Sequence, residues 1–395
     1  MEILFWILCI VVNASTYSQN NCKEIQVVDE HQIIKGNEQI HEYLPLIQNK
    51  KVAVVANACS YIKNKHLIDT LLSHNIHITK IFAPEHGFRT TADAGVKVSD
   101  SIDLKTGIPI ISLYGKKKAP SAKDLENIDV ILFDLQDVGV RFYTYISTLY
   151  YILKSCAENK IPLIVLDRPN PNGFYVDGPV LDTNYKSFVG VIPIPIVYGM
   201  TIGELARMMN NEPKFRPSSQ KADLTIIKLK NYSHNMMIKM QSVPSPNLNS
   251  WQSIILYPSL GLFEGTIISV GRGTEKPFQV IGHPDYPDKS FCFTPKSNAI
   301  SKNPKYKDKV CCGLDLSNDT YLFQHPQKIN LKWIIQFYKL LKNKKFFDKN
   351  FNYHAGNSEL QKDITAGLSE DKIRKKWEKE LQEFQNIRKK YLLYE

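Results

Sequence analysis

The motifs that usually announce a cofactor are missing from this 395-residue chain. The apolar run Val52–Ala56 is not followed by G-x-G-x-x-G, so the close-approach loop for a dinucleotide pyrophosphate is absent. There is no Walker loop; Gly271-Arg-Gly-Thr-Glu-Lys276 shares only its composition. Neither a G-x-S-x-G elbow nor an H-E-x-x-H or C-x-x-C pair occurs, which argues against serine-elbow hydrolysis and metal catalysis. No cofactor and no metal are expected. Beyond the N-terminus no segment is apolar enough to span a bilayer, and no internal repeat or low-complexity tract stands out.

Cysteine is sparse, with seven residues. Ile3–Val12 is a short apolar run followed by small and polar residues, the pattern of a signal peptide over residues 1–18, although no Lys or Arg precedes it. Export to a periplasmic or extracellular compartment is the expectation. Gln19-Asn20-Asn21 lacks the lipoprotein pattern and argues against a lipid anchor at Cys22. Six cysteines then remain, an even number, whose pairing or freedom spacing does not decide. The formal charge of +11 favours an anionic partner, but the basic stretches Lys116-Lys117-Lys118, Lys342–Lys345 and Arg374-Lys375-Lys376 are not interleaved with base-stacking aromatics. Nucleic acid is therefore not the expected partner; cell wall or a membrane surface fits better.

Four mainly apolar runs end in polar clusters. Val52–Ala56 runs into Asn57-Ala-Cys59-Ser60, Ile78–Ala83 into Pro84-Glu85-His86-Gly87-Phe88-Arg89, Val130–Phe133 into Asp134-Leu-Gln136-Asp137, and Ile161–Leu166 into Asp167-Arg168-Pro169-Asn170. Such runs read as buried parallel strands, and open α/β sheets bind ligands beyond their carboxyl ends. Helices are expected over His66–His74, Tyr143–Asn159 and Thr201–Asn211, the last opened by a Thr201/Glu204 capping box. The fold class is α/β: a Rossmann-like parallel-sheet domain over residues 23–243, then a smaller α+β auxiliary domain over 244–395. The boundary falls in Met240–Pro246, at the start of a stretch where prolines and the glycines of Gly261–Gly273 break the rhythm. Leu331–Leu341 is amphipathic, and Ile373, Trp377, Leu381, Phe384, Ile387 and Tyr391 share one apolar helical face.

The rim is rich in carboxylates, which points to glycoside hydrolysis, where one carboxyl group is protonated and one ionised across the scissile bond. Glu85 is the candidate acid, against the reading that it merely pairs with Arg89 or Arg141. Asp137 is the candidate second carboxylate, with Asp134 holding backbone, and Glu264 competes with it. Arg141 and Arg89 suit an anionic substrate group, because a guanidinium fork binds a carboxylate through two hydrogen bonds. Asn57, His86, Gln136, Tyr143, Tyr145, Asn170 and Arg272 complete the candidate binding residues. An interdomain cleft should gather them, with Glu264 and Arg272 closing over the rim. A hydrolase using Cys59 as nucleophile and His86 as base, and a non-catalytic wall-binding protein, are the alternatives.

Long motifs in order carry a resemblance. They include Phe82-Ala-Pro-Glu-His-Gly-Phe-Arg89, Ser112-Leu-Tyr-Gly115, Asp134-Leu-Gln-Asp-Val-Gly-Val-Arg-Phe-Tyr-Thr-Tyr145, Leu166-Asp-Arg-Pro-Asn-Pro171, Leu262-Phe-Glu-Gly-Thr266, Gly271-Arg-Gly-Thr274 and Arg388-Lys-Lys-Tyr-Leu-Leu-Tyr394. The chain resembles the exo-acting β-N-acetylmuramidases of the NamZ type. The resemblance implies an active site in the Rossmann-like domain and release of N-acetylmuramic acid from the non-reducing end of peptidoglycan-derived saccharides. Muramic acid carries a lactyl carboxylate, which the arginines would recognise. One departure is Asp177-Gly-Pro179 where Glu-Gly-Pro is expected; the shorter side chain argues against catalysis by Asp177.

Overall fold

In the computed structural model, which describes residues 25–89, 100–318, 327–341 and 345–395, the four apolar runs form strands Lys51–Ala56, His77–Ala83, Val130–Asp134 and Leu163–Leu166. They are buried because β-branched and aromatic side chains fill both faces of a sheet that helices cover. Pro109–Ser112 and Leu224–Ile227 extend the parallel set, and the short Ser101–Ile102 pairs antiparallel at one edge, making seven strands. Counted in chain order, the six parallel strands lie 3-2-1-4-5-6, the order of a doubly wound sheet. The order reverses between Lys51–Ala56 and Val130–Asp134, and all six carboxyl ends share one rim.

The expected helices appear with their ends trimmed: Leu67–Ser73, Tyr145–Asn159, Ile202–Asn211 and Lys332–Leu341. Thr201 caps its helix as the sequence predicts, its hydroxyl accepting from Glu204 N at 3.2 Å while Glu204 Oε2 accepts from Thr201 N at 2.9 Å. The second half holds a three-stranded antiparallel sheet of Val280–His283, Cys311–Asp315 and Cys292–Phe293, surrounded by helices. A disulfide joins Cys292 to Cys312 across that sheet. The expected apolar helical face forms within Glu370–Arg388, where Ile373, Trp377 and Phe384 are buried.

The two halves share packing and polar locks. A single buried apolar cluster runs from Phe82 and Phe133 of the large sheet through Phe263 and Phe337 to Trp377. Asp177, placed in doubt as a catalyst by its shortness, works as a lock: both its oxygens accept from Arg374 Nη1, at 2.8 and 2.9 Å, and Oδ2 accepts from Ile329 N at 2.6 Å. The tail returns to the large sheet, where Tyr394 OH donates to Asp167 at 2.5 Å and Leu393 N to Glu204 at 2.7 Å. These contacts hold the second half over the rim of the first. The residues proposed as a signal peptide, and Cys22, lie outside the described residues.

Candidate active site

Glu85 follows the His77–Ala83 strand in a tight turn closed by Gly87 N donating to Pro84 O at 3.2 Å. His86 takes φ 73° and Gly87 φ 86°; two successive left-handed residues swing the chain sharply away from the strand end. The Glu85 carboxylate accepts from the Thr144 hydroxyl at 2.7 Å and from the Tyr114 phenol. Thr144 stands immediately before helix Tyr145–Asn159, yet its side chain makes no capping bond. Its hydroxyl is spent on Glu85 instead. Burial and the neighbouring Glu85 charge push the Tyr114 phenol above its ordinary pKa, so it stays a hydrogen-bond donor. Hydroxyls can rotate to donate or accept, so this pair can serve Glu85 in either protonation state.

The facing wall comes from the second half. Glu264 sits in the helical turn Gly261–Gly265, and Gly261 is required there: a Cβ would come within 2.3 Å of the Phe142 ring. Arg272, between Gly271 at φ 77° and Gly273 at φ 81°, grips Glu264 in a fork, Nε to Oε1 at 3.2 Å and Nη2 to Oε2 at 2.8 Å. Its guanidinium lies 4.9 Å from the Phe278 ring centre. Enclosure raises the Glu264 pKa, but the charges of Arg272, His354 and Lys305 and the bonds from Arg272 outweigh it and hold the carboxyl below its ordinary value. Glu264 is therefore the carboxylate that stays ionised. His354, also on this wall, is held below the usual imidazole value by burial.

Between these walls lies a cleft of about 200 Å³, lined by Glu85, His86, Tyr114, Tyr143, Thr144, Glu264, Arg272 and His354, with Phe142, Phe188, Tyr257 and Phe278 as its aromatic surface. Of the residues singled out from sequence, Glu85, Glu264, His86, Tyr143 and Arg272 meet there. Tyr114, Thr144, Tyr257 and His354 were missed. For Tyr114 and Thr144 a signal existed, since both fall within the motifs that carry the family resemblance; nothing local marks the other two.

Several sequence candidates are corrected. Arg141 is wholly buried, and its Nη1 and Nη2 donate to the carbonyls of Pro179, Ile194, His354 and Ala355 at 2.7–2.9 Å. It ties the two halves together and offers no fork to a substrate. Burial lowers its pKa to about 9. Arg89 is held by Asp69 and Asp103, each at 2.9 Å, so neither arginine is Glu85's partner. Asp137 lies beneath the cleft wall, bonded to Tyr198 and accepting from Gly139 N at 2.6 Å; burial raises its pKa to about 6. Asp134 is locked to Arg168 at 2.6 Å.

The amides are likewise spent on the fold. Asn57 donates to Tyr145 OH at 2.7 Å and accepts from Cys59 N at 3.0 Å. Gln136 donates to Pro169 O at 2.7 Å, and Asn170 donates to Met200 O at 2.7 Å. Tyr145 is 1% exposed, so it supports the wall from behind. Cys59 donates to Val243 O at 2.7 Å, and burial pushes its thiol up to about 11. That leaves too little thiolate at neutral pH for a nucleophile.

The family model "Exo-beta-N-acetylmuramidase NamZ, N-terminal" matches residues 52–252 and its C-terminal counterpart residues 255–394. A relative from Bacillus subtilis (strain 168), named peptidoglycan beta-N-acetylmuramidase NamZ, is 40% identical over 374 residues, 89% of each chain. Two crystal structures of DUF1343 family proteins from Bacteroides fragilis are similar, each covering 92% of this chain and 99% of its own. One has a TM-score of 0.84 at 44% identity and the other 0.76 at 26%. The chain belongs to the NamZ exo-β-N-acetylmuramidase family.

Proposed function

We propose that this chain is an exported glycoside hydrolase that removes N-acetylmuramic acid from the non-reducing end of peptidoglycan fragments. The observation that carries this reading is the pair Glu85 and Glu264, brought into one small cleft from opposite halves of the chain. Their environments differ as such a reaction requires. Glu264 is fixed as an anion by the Arg272 fork, and Glu85 accepts from the neutral hydroxyls of Thr144 and Tyr114. Glu85 protonates the departing glycosidic oxygen, and Glu264 supplies the negative charge that an oxocarbenium-like transition state needs. Aromatic rings around the cleft cover the apolar faces of the sugar ring.

Arg141 and Arg89 do not line the cleft; Arg272 does, and while its fork stays on Glu264 its positive charge is the one there for a lactyl carboxylate to meet. Export is supported by the apolar run Ile3–Val12 and by the Cys292–Cys312 disulfide, a bond that persists in oxidising compartments. The test is release of a chromogenic aglycone from a muramic acid glycoside. Glu85→Gln and Glu264→Gln should each lower kcat by at least about a hundredfold, while a thiol-alkylating reagent leaves the rate unchanged. Full activity in either variant, or inactivation by alkylation of Cys59, would overturn the assignment.

A further inference from the structure

One wall of the cleft continues beyond it. Tyr114, which bonds Glu85, and Phe188 both line the cleft, and from them a row of partly exposed rings runs outward. The Tyr114 and Phe188 ring centres are 5.8 Å apart. Phe188 and Tyr151 are nearly parallel, their planes 14° apart and their centres 6.3 Å apart, and Tyr150 meets Tyr151 edge-on at 5.4 Å. The row is built on rigid parts. Phe188 stands in a tight turn bonded in both directions between Ser187 and Gly190, at 2.9 and 3.1 Å, and its carbonyl accepts from Ser147 Oγ at 2.7 Å. Ser147 and Tyr151 lie one turn apart on helix Tyr145–Asn159, so they share a face. That helix follows Thr144, the other partner of Glu85.

Two lysines flank the rings. Lys118 Nζ lies 5.2 Å from the Phe188 ring centre and Lys186 Nζ 4.9 Å from that of Tyr150. Both are exposed, and neither makes an ion pair among the described residues, whereas Lys117 beside them is paired with Asp124 at 3.1 Å. We propose that this row is the platform for the leaving saccharide: the sugar released by cleavage rests against Phe188, and a carboxylate carried by the next sugar meets Lys118 and Lys186. The proposal rests on the exo-muramidase reading of the cleft. With a terminal sugar in a space of about 200 Å³, the rest of the chain lies outside, on the side of the acid that protonates the departing oxygen. Tyr114 joins that acid to the row directly. Peptidoglycan alternates neutral N-acetylglucosamine with acidic muramic acid, which suits rings that cover an apolar sugar face and ammonium groups that attract an anion. The lysine stem is flexible, so Lys118 can follow the ligand off the ring. The carboxylate is either the lactyl group or that of a peptide attached to it.

The experiment compares kcat/KM on a chromogenic aryl glycoside of muramic acid, a muramic-acid-ended disaccharide, and the corresponding tetrasaccharide with its inner muramic acid bare or bearing a peptide. The variants are Tyr151→Leu, which keeps apolar bulk on the helix but loses the ring, and the double variant Lys118→Ser/Lys186→Ser. In both, the aryl glycoside and the disaccharide should react as in wild type, and a tetrasaccharide should lose about fivefold. Added salt should slow the wild type on that tetrasaccharide and leave the double lysine variant little affected. A loss on the bare tetrasaccharide assigns the lactyl carboxylate; a loss on the peptide-bearing one alone assigns the peptide. No loss on either tetrasaccharide, or an equal loss on the aryl glycoside, would overturn the platform. A wild type inert towards every substrate would instead overturn the reading of the cleft itself, and the platform with it.

Discussion

Thr144→Val is the sharpest probe of the cleft, because it changes one hydroxyl into a methyl of nearly the same shape. A threonine at a helix start normally caps it, and its loss then costs stability. Here the hydroxyl makes no cap bond and reaches Glu85 at 2.7 Å, so the helix Tyr145–Asn159 has nothing to lose. The bond removed joins a hydroxyl to a carboxyl group, worth about 1.5–3 kcal/mol when that group is charged. If it orients Glu85 in the transition state, kcat should fall between about tenfold and a hundredfold. KM should change little, and the melting temperature should stay within about 2 °C of wild type. The assay is release of the chromogenic aglycone across pH 4–9, with melting followed by circular dichroism. Thr144→Ser, which keeps the hydroxyl, should recover most of the rate. Wild-type turnover in the valine variant, or a serine variant as impaired as valine, would remove Thr144 from the orientation of Glu85.

Arg141→Met should destabilise the protein by at least about 3 kcal/mol, because four buried carbonyls lose their donors. A stable variant that loses only its preference for muramic over N-acetylglucosamine glycosides would restore Arg141 as a substrate clamp. A pH prediction concerns Asp167, whose pKa burial raises to about 7 despite the donors Tyr394, Gly203 and Thr201, with the Glu204 charge adding to the rise. Between about pH 4 and 7 the folded state holds a proton that the unfolded state has released, so this contribution to stability is lost as pH rises, by about 1.4 kcal/mol per unit. Asp167→Asn removes that slope. Relative to wild type the variant should gain about 2 kcal/mol between pH 5.5 and 7, and a constant difference in denaturant unfolding across that range would disprove it.

Local chemistry made much of this molecule legible. Apolar runs with polar ends read correctly as parallel strands because period and composition are properties of a few adjacent residues. The Thr201/Glu204 box and the apolar face of Glu370–Arg388 formed for the same reason. Glu85 is singled out by its own turn, and Glu264 with Arg272 by the glycine-rich loops that present them. The family resemblance rests on motifs that span both halves, so it does not depend on the role of any one residue.

The sheet, its rim and the stock of polar groups along that rim were thus legible from adjacent residues alone. Which of those groups line the cleft and which are taken up by the fold depends on tertiary contacts. Asn57, Gln136, Asp137, Arg141 and Asn170 all stand at strand ends, yet each is claimed by a buried hydroxyl or backbone group. Buried polar backbone must be paired, and its partners come from wherever the fold brings them. Arg141 is taken by carbonyls at 354 and 355, more than two hundred residues away in sequence. His354 reaches the cleft wall by the same long-range closure. A carboxylate or guanidinium has the same composition whether it binds substrate or holds a loop; the difference lies in partners supplied by distant segments, and folding alone assigns them.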